Sequence, residues 1–174
     1  WALIAQRYLS LFGYEEADLG TVAMQLRQNA MANANAIMRT PMTQEDYLAS
    51  RYIVRPLHLF DMCLVNDGAV CLIVQSAKKA RERQKPPVMV AGWGAAKAKG
   101  DKFDTLVRQR LAPQLHEAGS QALAMAGLDL TDIGHFEGYD PASIHLVNQL
   151  EGYGFLKPGD GLRAFREGDL SPTG

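Results

Sequence analysis

The chain has 174 residues, 47% of them hydrophobic and 21% charged, which is enough to bury the core of one ordinary domain. Its 18 basic and 19 acidic residues leave a net charge of -1, which argues against a nucleic-acid-binding protein. The 2 cysteines and 4 histidines lack the spacing of a zinc site, and no apolar run approaches the ~18 residues of a membrane span. We expect a reduced, cytoplasmic protein with no metal and no membrane span.

The first part of the chain predicts helices followed by strands. Helices are predicted over residues 1–12, 18–38, 44–50 and 76–83, and extended segments over 53–59, 69–74 and 88–91. Gly13 ends the first helix, and the chain starts inside that helical pattern, so we expect a fragment. Thr43 caps the third helix, with Asp46 completing an imperfect capping box. The apolar, β-branched run 69–74 predicts a strand buried on both faces.

A polar loop over residues 97–102 is the best candidate for an internal boundary. Beyond it, helices are predicted over 116–126, 141–150 and 158–165, and a short strand over 133–137. Pro141 occupies the first-turn position that proline prefers in helices. Strands that are buried on both faces and alternate with helices predict a layered α/β fold.

Several short motifs follow one another along the chain. They are Arg27 with 33–38, Ser50-Arg51 with Arg55-Pro56-Leu57, Asp61-Met62-Cys63 with Asn66-Asp67-Gly68-Ala69, Ala126-Gly127-Leu128 with Asp132-Ile133, then Glu137 and Tyr139-Asp140, and Gly154-Phe155 with Gly159-Asp160-Gly161. Their order resembles the thiolase superfamily. It is closest to the lipid-transfer thiolases of the sterol-carrier-protein-X type and to the thiolase-like aldolases of steroid side-chain degradation. The chain departs from the family at Ala34, where proline is usual.

The resemblance implies part of the layered α/β/α thiolase fold. Residues 1–50 would form a helical insertion, 51–100 the last strands of the N-terminal half, and 101–174 the beginning of the C-terminal half. The family's nucleophilic cysteine would lie upstream, since Cys63 and Cys71 do not sit at its position. The resemblance also implies a homodimer, and a small partner protein with an OB-fold and a zinc ribbon.

The segment from His135 to Asp140 is the most informative part of the resemblance. Degradative thiolases of this subgroup hold a histidine of the oxyanion hole where this chain has Tyr139, whereas the thiolase-like aldolases carry tyrosine. The resemblance thus implies that Tyr139 is a general acid/base or enolate-stabilising residue and that Asp140 orients it or its loop. A phenol has a pKa of about 10, so acting as a base requires a tuned environment. In the alternative, Tyr139 is a half-buried aromatic with its hydroxyl bonded to structure. Glu137 either faces the site or bonds across its strand.

The function that the resemblance implies is a thiolase-like aldolase, which cleaves a C–C bond of a β-hydroxyacyl-CoA with a steroid or other branched side chain by retro-aldol chemistry. Coenzyme A would be part of the substrate, and no separate cofactor is expected. One alternative is an acyl-CoA thiolase or acetyltransferase of lipid metabolism with an upstream cysteine nucleophile. Another is a non-catalytic subunit that binds lipid-CoA. A basic helix over 76–83 is interpreted as a solvated surface rather than a phosphate site.

Overall fold

A computed structural model describes residues 1–83, 85–97, 113–168 and 170. Its helices are α1 (Ala2–Phe12), α2 (Glu16–Ala32), α3 (Gln44–Ala49), α4 (Ala77–Arg81), α5 (Pro113–Ala126), α6 (Ser143–Tyr153) and α7 (Gly161–Glu167). The strands β1 (Tyr52–Val54) and β2 (Leu57–His58) form an antiparallel hairpin, and short 3-10 turns cover Leu59–Asp61 and Leu130–Asp132. The described part of the chain is therefore mostly helical, with one small sheet.

The ends of the first two helices follow local signals. Gly13 ends α1 in the left-handed conformation, with φ 73°, and donates its N–H to the carbonyl of Leu9, as predicted. Helix α2 stops at Asn33, short of the predicted range 18–38. The side chain of Asn33 accepts a hydrogen bond of 2.9 Å from the N–H of Asn35, and such a bond competes with the helical ladder.

The predicted N-cap of α3 is confirmed. The Thr43 hydroxyl accepts from the Asp46 N–H at 3.1 Å, and the Asp46 carboxylate accepts from the Thr43 N–H at 2.9 Å. The predicted extended segment 53–59 is confirmed in part, because it contributes to the hairpin but also contains its turn. Tyr52 and His58 face each other across this hairpin.

The predicted strands 69–74, 88–91 and 133–137 are corrected by the structure, which gives none of them regular secondary structure. The apolar side chains of the first two are largely exposed, at 89% for Val70 and 98% for Val88. A buried strand needs neighbouring strands to satisfy its N–H and C=O groups. Within the described residues no strand lies beside these segments. The layered sheet of the predicted fold is accordingly not formed by these residues alone.

The chain at Gly92 and Gly94 lies directly on helix α5. A Cβ on Gly92 would stand 2.1 Å from the carbonyl oxygen of Ala122, and one on Gly94 would stand 2.0 Å from that of Ala118. The Ala95 N–H also donates to Oε1 of Gln121 at 3.2 Å. These glycines therefore allow a close contact between backbone and helix, in addition to ending the apolar run.

The core lies where α1, α2, α6 and α7 meet. Its largest fully buried side chains are Tyr8, Leu19, Val22, Tyr47, Leu57, His58, Ile144, Val147 and Leu162. Tyr47 of α3 packs so closely on α2 that a Cβ on Gly20 would stand 2.6 Å from its ring. This single cluster joins the start of the chain to the helices that follow the candidate site.

The helices of the last part of the chain form where they are predicted, with shifted ends. Helix α5 starts at Pro113, earlier than the predicted 116. Pro141 lies outside α6, since Ala142 is the N-cap, and α6 continues to a left-handed Gly154 with φ 94°. The predicted boundary at 97–102 lies, apart from Lys97, outside the described residues.

Candidate active site

The segment containing Tyr139 is an irregular loop that enters α6, and a side chain of that helix holds it. Gln149 accepts from the Tyr139 N–H at 3.2 Å through Oε1 and donates to the Tyr139 carbonyl at 2.6 Å through Nε2. Gln149 is 6% exposed, whereas Tyr139 is 69% exposed. The backbone of Tyr139 is thus fixed while its side chain points toward solvent.

A second anchor follows immediately after Asp140. Ala142 forms a β-bridge with Met62, and the Cys63 N–H donates to the Pro141 carbonyl at 3.2 Å. Tyr139 and Asp140 are therefore held on one side by Gln149 and on the other by the segment 62–63. The Asp61-Met62-Cys63 motif and the Tyr139-Asp140 motif, which are far apart in sequence, come together here.

The 3-10 turn before that anchor is built on a buried carboxylate. Asp61 is 3% exposed and accepts hydrogen bonds from the Tyr47 hydroxyl at 2.8 Å and from the His58 N–H at 2.6 Å. Burial raises the pKa of the Asp61 carboxyl above its usual value, and these hydrogen bonds oppose the rise. The turn thereby places Met62 and Cys63 against the loop of the candidate site.

The ring of Tyr139 has an aromatic neighbour on α6. It lies edge-on to the His145 ring, with centroids 6.1 Å apart, and His145 in turn contacts the Trp1 ring at 4.4 Å. Burial lowers the pKa of His145, so this imidazole is neutral at neutral pH. The Tyr139 hydroxyl makes no hydrogen bond with any described residue, which leaves it free to meet a ligand.

The other polar side chains of the segment face solvent. Asp140 is exposed and makes no side-chain hydrogen bond or ion pair within the described part of the chain. Glu137 lies 3.2 Å from Nε2 of His135, and the two side chains are 88% and 80% exposed. Glu137 thus bonds within its own loop rather than across a strand.

Other sequence candidates lie away from Tyr139 or make different contacts. The guanidinium of Arg27 donates to the Thr40 carbonyl at 2.8 Å and lies over the Phe60 ring. Cys63 and Cys71 are free and exposed.

In the residues that the structure describes, no group of His, Cys, Asp or Glu side chains is arranged to hold a metal, and no helix is long and apolar enough to cross a membrane.

The sequence did not predict that Gln149 contacts the candidate site. Its only local signal is a polar residue beside Leu150 on a helix whose inward face is apolar, one turn after His145. Such a residue is usually solvated, and nothing local shows that its partner is the backbone of a preceding loop. The contact depends on how that loop folds back on α6.

Comparisons with known proteins point to the same superfamily as the order of the sequence motifs. Residues 105–174 match the family model described as thiolase C-terminal domain-like. A steroid side-chain-cleaving aldolase of Thermomonospora curvata is 35% identical over 99% of this chain and 45% of its own length. The chain is a thiolase-like protein related to steroid side-chain-cleaving aldolases. The resemblance inferred from the motifs is thereby confirmed.

Further relatives support the same relationship. This thiolase-like chain is 32% identical to a 17-hydroxy-3-oxo-4-pregnene-20-carboxyl-CoA lyase of Mycobacterium tuberculosis, over 99% of the chain and 46% of that lyase. A solved structure, the Ltp2-ChsH2(DUF35) aldolase, superposes with a TM-score of 0.85 at 31% identity, over 97% of the chain and 45% of its own. The fold is thus thiolase-like. The chain spans less than half the length of these relatives.

Proposed function

We propose that this chain is part of a thiolase-like aldolase that cleaves a C–C bond of a β-hydroxyacyl-CoA with a steroid or other branched side chain. The observation that carries the proposal is the presentation of Tyr139. Its backbone is bonded at both polar groups and its hydroxyl is exposed and unpaired among the described residues. The names of an aldolase and a CoA-ester lyase among the relatives support the same chemistry.

The proposed reaction is a retro-aldol cleavage. A base removes the β-hydroxyl proton, the O–H electrons form a carbonyl, and the bond between the α and β carbons breaks. Its electrons pass into a thioester enolate, which is then protonated at carbon to give a shortened acyl-CoA and a ketone or aldehyde. Tyr139 serves as general acid/base or donates a hydrogen bond to the enolate, where an aimed donor is typically worth about 3 kcal/mol. Asp140 orients Tyr139 or its loop.

Replacing only the hydroxyl tests this role. In the complete protein, Tyr139→Phe should lower kcat for β-hydroxyacyl-CoA cleavage by more than about tenfold, because it removes the proposed donor and keeps the ring. Tyr153→Phe on α6 is the matched control, since the Tyr153 ring packs edge-on to Phe136 and its hydroxyl bonds no described residue. Circular dichroism should show both variants folded. Near-normal turnover by folded Tyr139→Phe protein would remove Tyr139 from the mechanism.

The requirement for free coenzyme A separates the aldolase from a thiolase. Retro-aldol cleavage needs no thiol acceptor, so product should form from a β-hydroxyacyl-CoA when no free coenzyme A is present. A thiolase instead cleaves a β-ketoacyl-CoA and transfers the acyl group from its cysteine to coenzyme A. Cleavage that depends on free coenzyme A would favour the thiolase, and binding without cleavage of either substrate would favour the non-catalytic subunit.

We also propose the assembly and organisation that the relationship suggests. Residues 1–50, 51–100 and 101–174 would form a helical insertion, the last strands of one thiolase half and the beginning of the other. The complete protein would be a cytoplasmic homodimer that works with an OB-fold and zinc-ribbon partner. The solved relative is named as a complex with a DUF35 protein, which supports a partner of that kind. Co-expression with such a protein should yield a complex by size-exclusion chromatography.

A further inference from the structure

The side chain of Gln149 bonds to Tyr139 in the way that one strand residue bonds to another. Its Oε1 accepts from the Tyr139 N–H at 3.2 Å and its Nε2 donates to the Tyr139 carbonyl at 2.6 Å. A glutamine amide carries a donor and an acceptor arranged as in a peptide group, so it can satisfy both backbone groups of one residue. These two hydrogen bonds hold the loop at Tyr139, which pairs with neither strand of the sheet in the described part of the chain.

The surroundings of the Gln149 side chain restrain its orientation. The side chain is 6% exposed, and Nε2 also lies 3.3 Å from the carbonyl of His145, one turn earlier on α6. Burying an amide without hydrogen-bond partners costs free energy. Burial therefore favours the rotamer of Gln149 that keeps these hydrogen bonds. Through Gln149, the packed helix α6 therefore restrains the backbone of Tyr139.

This support bears directly on where the Tyr139 hydroxyl lies. The segment around Tyr139 has no regular secondary structure, and its ring is restrained on one edge by His145. The hydroxyl stands at the far end of a long side chain, so a small rotation of the backbone displaces it more than the Cα atom. Misplacement of a reacting group by about 1 Å can lower a rate by roughly a hundredfold.

We propose that Gln149 is a positioning residue that sets the backbone of Tyr139 and thereby aims its hydroxyl at the reacting atoms. The proposal rests on the proposed function of Tyr139. It assigns Gln149 no contact with substrate, so its effect should pass entirely through Tyr139.

The first measurement is the rate of the Gln149→Met variant. Methionine keeps the length of the side chain and lacks the amide, so the complete protein should fold while kcat for β-hydroxyacyl-CoA cleavage falls by about tenfold or more, with little change in KM. Gln121→Met on α5 is the matched control. It also removes a glutamine oxygen that accepts from a backbone N–H, that of Ala95 at 3.2 Å, and it should leave kcat unchanged.

A double-mutant cycle tests whether the effect passes through Tyr139. Once the hydroxyl is removed by Tyr139→Phe, adding Gln149→Met should lower kcat no further. If the two effects multiply instead, Gln149 acts independently of Tyr139 and the positioning role is overturned. A merely structural role would produce such multiplication.

Amide hydrogen exchange tests the same contact without activity. Exchange at the Tyr139 N–H should accelerate in Gln149→Met and stay unchanged in Gln121→Met, because only the first loses its acceptor. If Tyr139→Phe turns over normally, the proposed role of Tyr139 fails, and the positioning role of Gln149 fails with it. If Tyr139→Phe is impaired while Gln149→Met has parental kcat and parental exchange, the positioning role alone fails.

Discussion

At the scale of single residues, the buried pair of Tyr8 and Glu151 links α1 to α6 and α7. Oε1 of Glu151 accepts from the Tyr8 hydroxyl at 2.5 Å and from the Gly161 N–H at 2.9 Å. Burial raises the pKa of the Glu151 carboxyl above its usual value, although both hydrogen bonds favour the ionised form. The folded protein therefore binds a proton at Glu151 more tightly than the unfolded chain does.

This difference predicts how stability depends on pH. In the unfolded chain the Glu151 carboxyl has a pKa of about 4.3. The stability that the protonated Glu151 contributes is therefore complete below that pH, and it is lost as pH rises through the higher pKa of the folded state. Glu151→Gln keeps the acceptor oxygen and removes the charge. Its stability relative to the parent should rise with pH across this interval, as measured by urea unfolding midpoints of the complete protein.

Glu167→Gln on the exposed side of α7 is the matched control for that experiment, since Glu167 is 49% exposed. It should preserve the parental pH slope. Parallel curves for the parent and Glu151→Gln would show that the carboxyl at this position does not contribute the predicted pH dependence.

At the scale of elements, the contact of Gly94 with α5 shows how a loop can approach a helix when it lacks side chains. A Cβ on Gly94 would stand 2.0 Å from the carbonyl oxygen of Ala118, a backbone atom that cannot rotate away. The same substitution at Gly134 would meet nothing within 4 Å. The two glycines therefore differ in packing, and their substitution separates packing from a general effect of adding a methyl group.

We expect Gly94→Ala to lower the free energy of unfolding by about 1–3 kcal/mol, because the methyl group forces the loop off α5. Gly134→Ala, for which space is open, should stay within about 0.5 kcal/mol of the parent. Denaturant midpoints of the complete protein measure both. Equal stability of the two variants would mean that the loop does not lie on α5 as described.

At the scale of the whole molecule, the apolar segments 69–74 and 88–91 leave much of their side-chain surface exposed in the described structure. Leu72, Ile73 and Val74 are 82%, 87% and 88% exposed. Burial of apolar surface is worth about 25 cal/mol per Å², so such runs are normally covered. The proposed place of residues 51–100 among the strands of a thiolase half would cover them.

Hydrogen exchange on the complete protein tests that placement. Amides of 69–74 should exchange as slowly as those of the buried helix α6, because a strand within a sheet has both neighbours. The exposed loop 33–40 is an internal reference for fast exchange. If residues 69–74 exchange as fast as that loop, they are not part of a sheet and the proposed organisation is wrong.

Features that depend on short-range interactions were predictable from sequence. Gly13 ends α1 because glycine tolerates the left-handed conformation, and Thr43 caps α3 because its hydroxyl reaches the Asp46 N–H. The Tyr139-Asp140 motif was also found from sequence, through its place in a series of motifs. Each of these needs only neighbouring residues or their order along the chain.

The amino-acid sequence by itself determined the helical segments, a few of their ends such as Gly13 after α1 and Thr43 before α3, the relationship to the thiolase-like proteins and the candidate Tyr139. Only the tertiary structure decided that Gln149 bonds the Tyr139 backbone, that Met62 and Cys63 anchor the other side, and that 69–74 lies exposed. The physical reason is range. Helix propensity and capping act within a few residues, whereas a strand or a buried amide is settled by partners that folding brings from elsewhere.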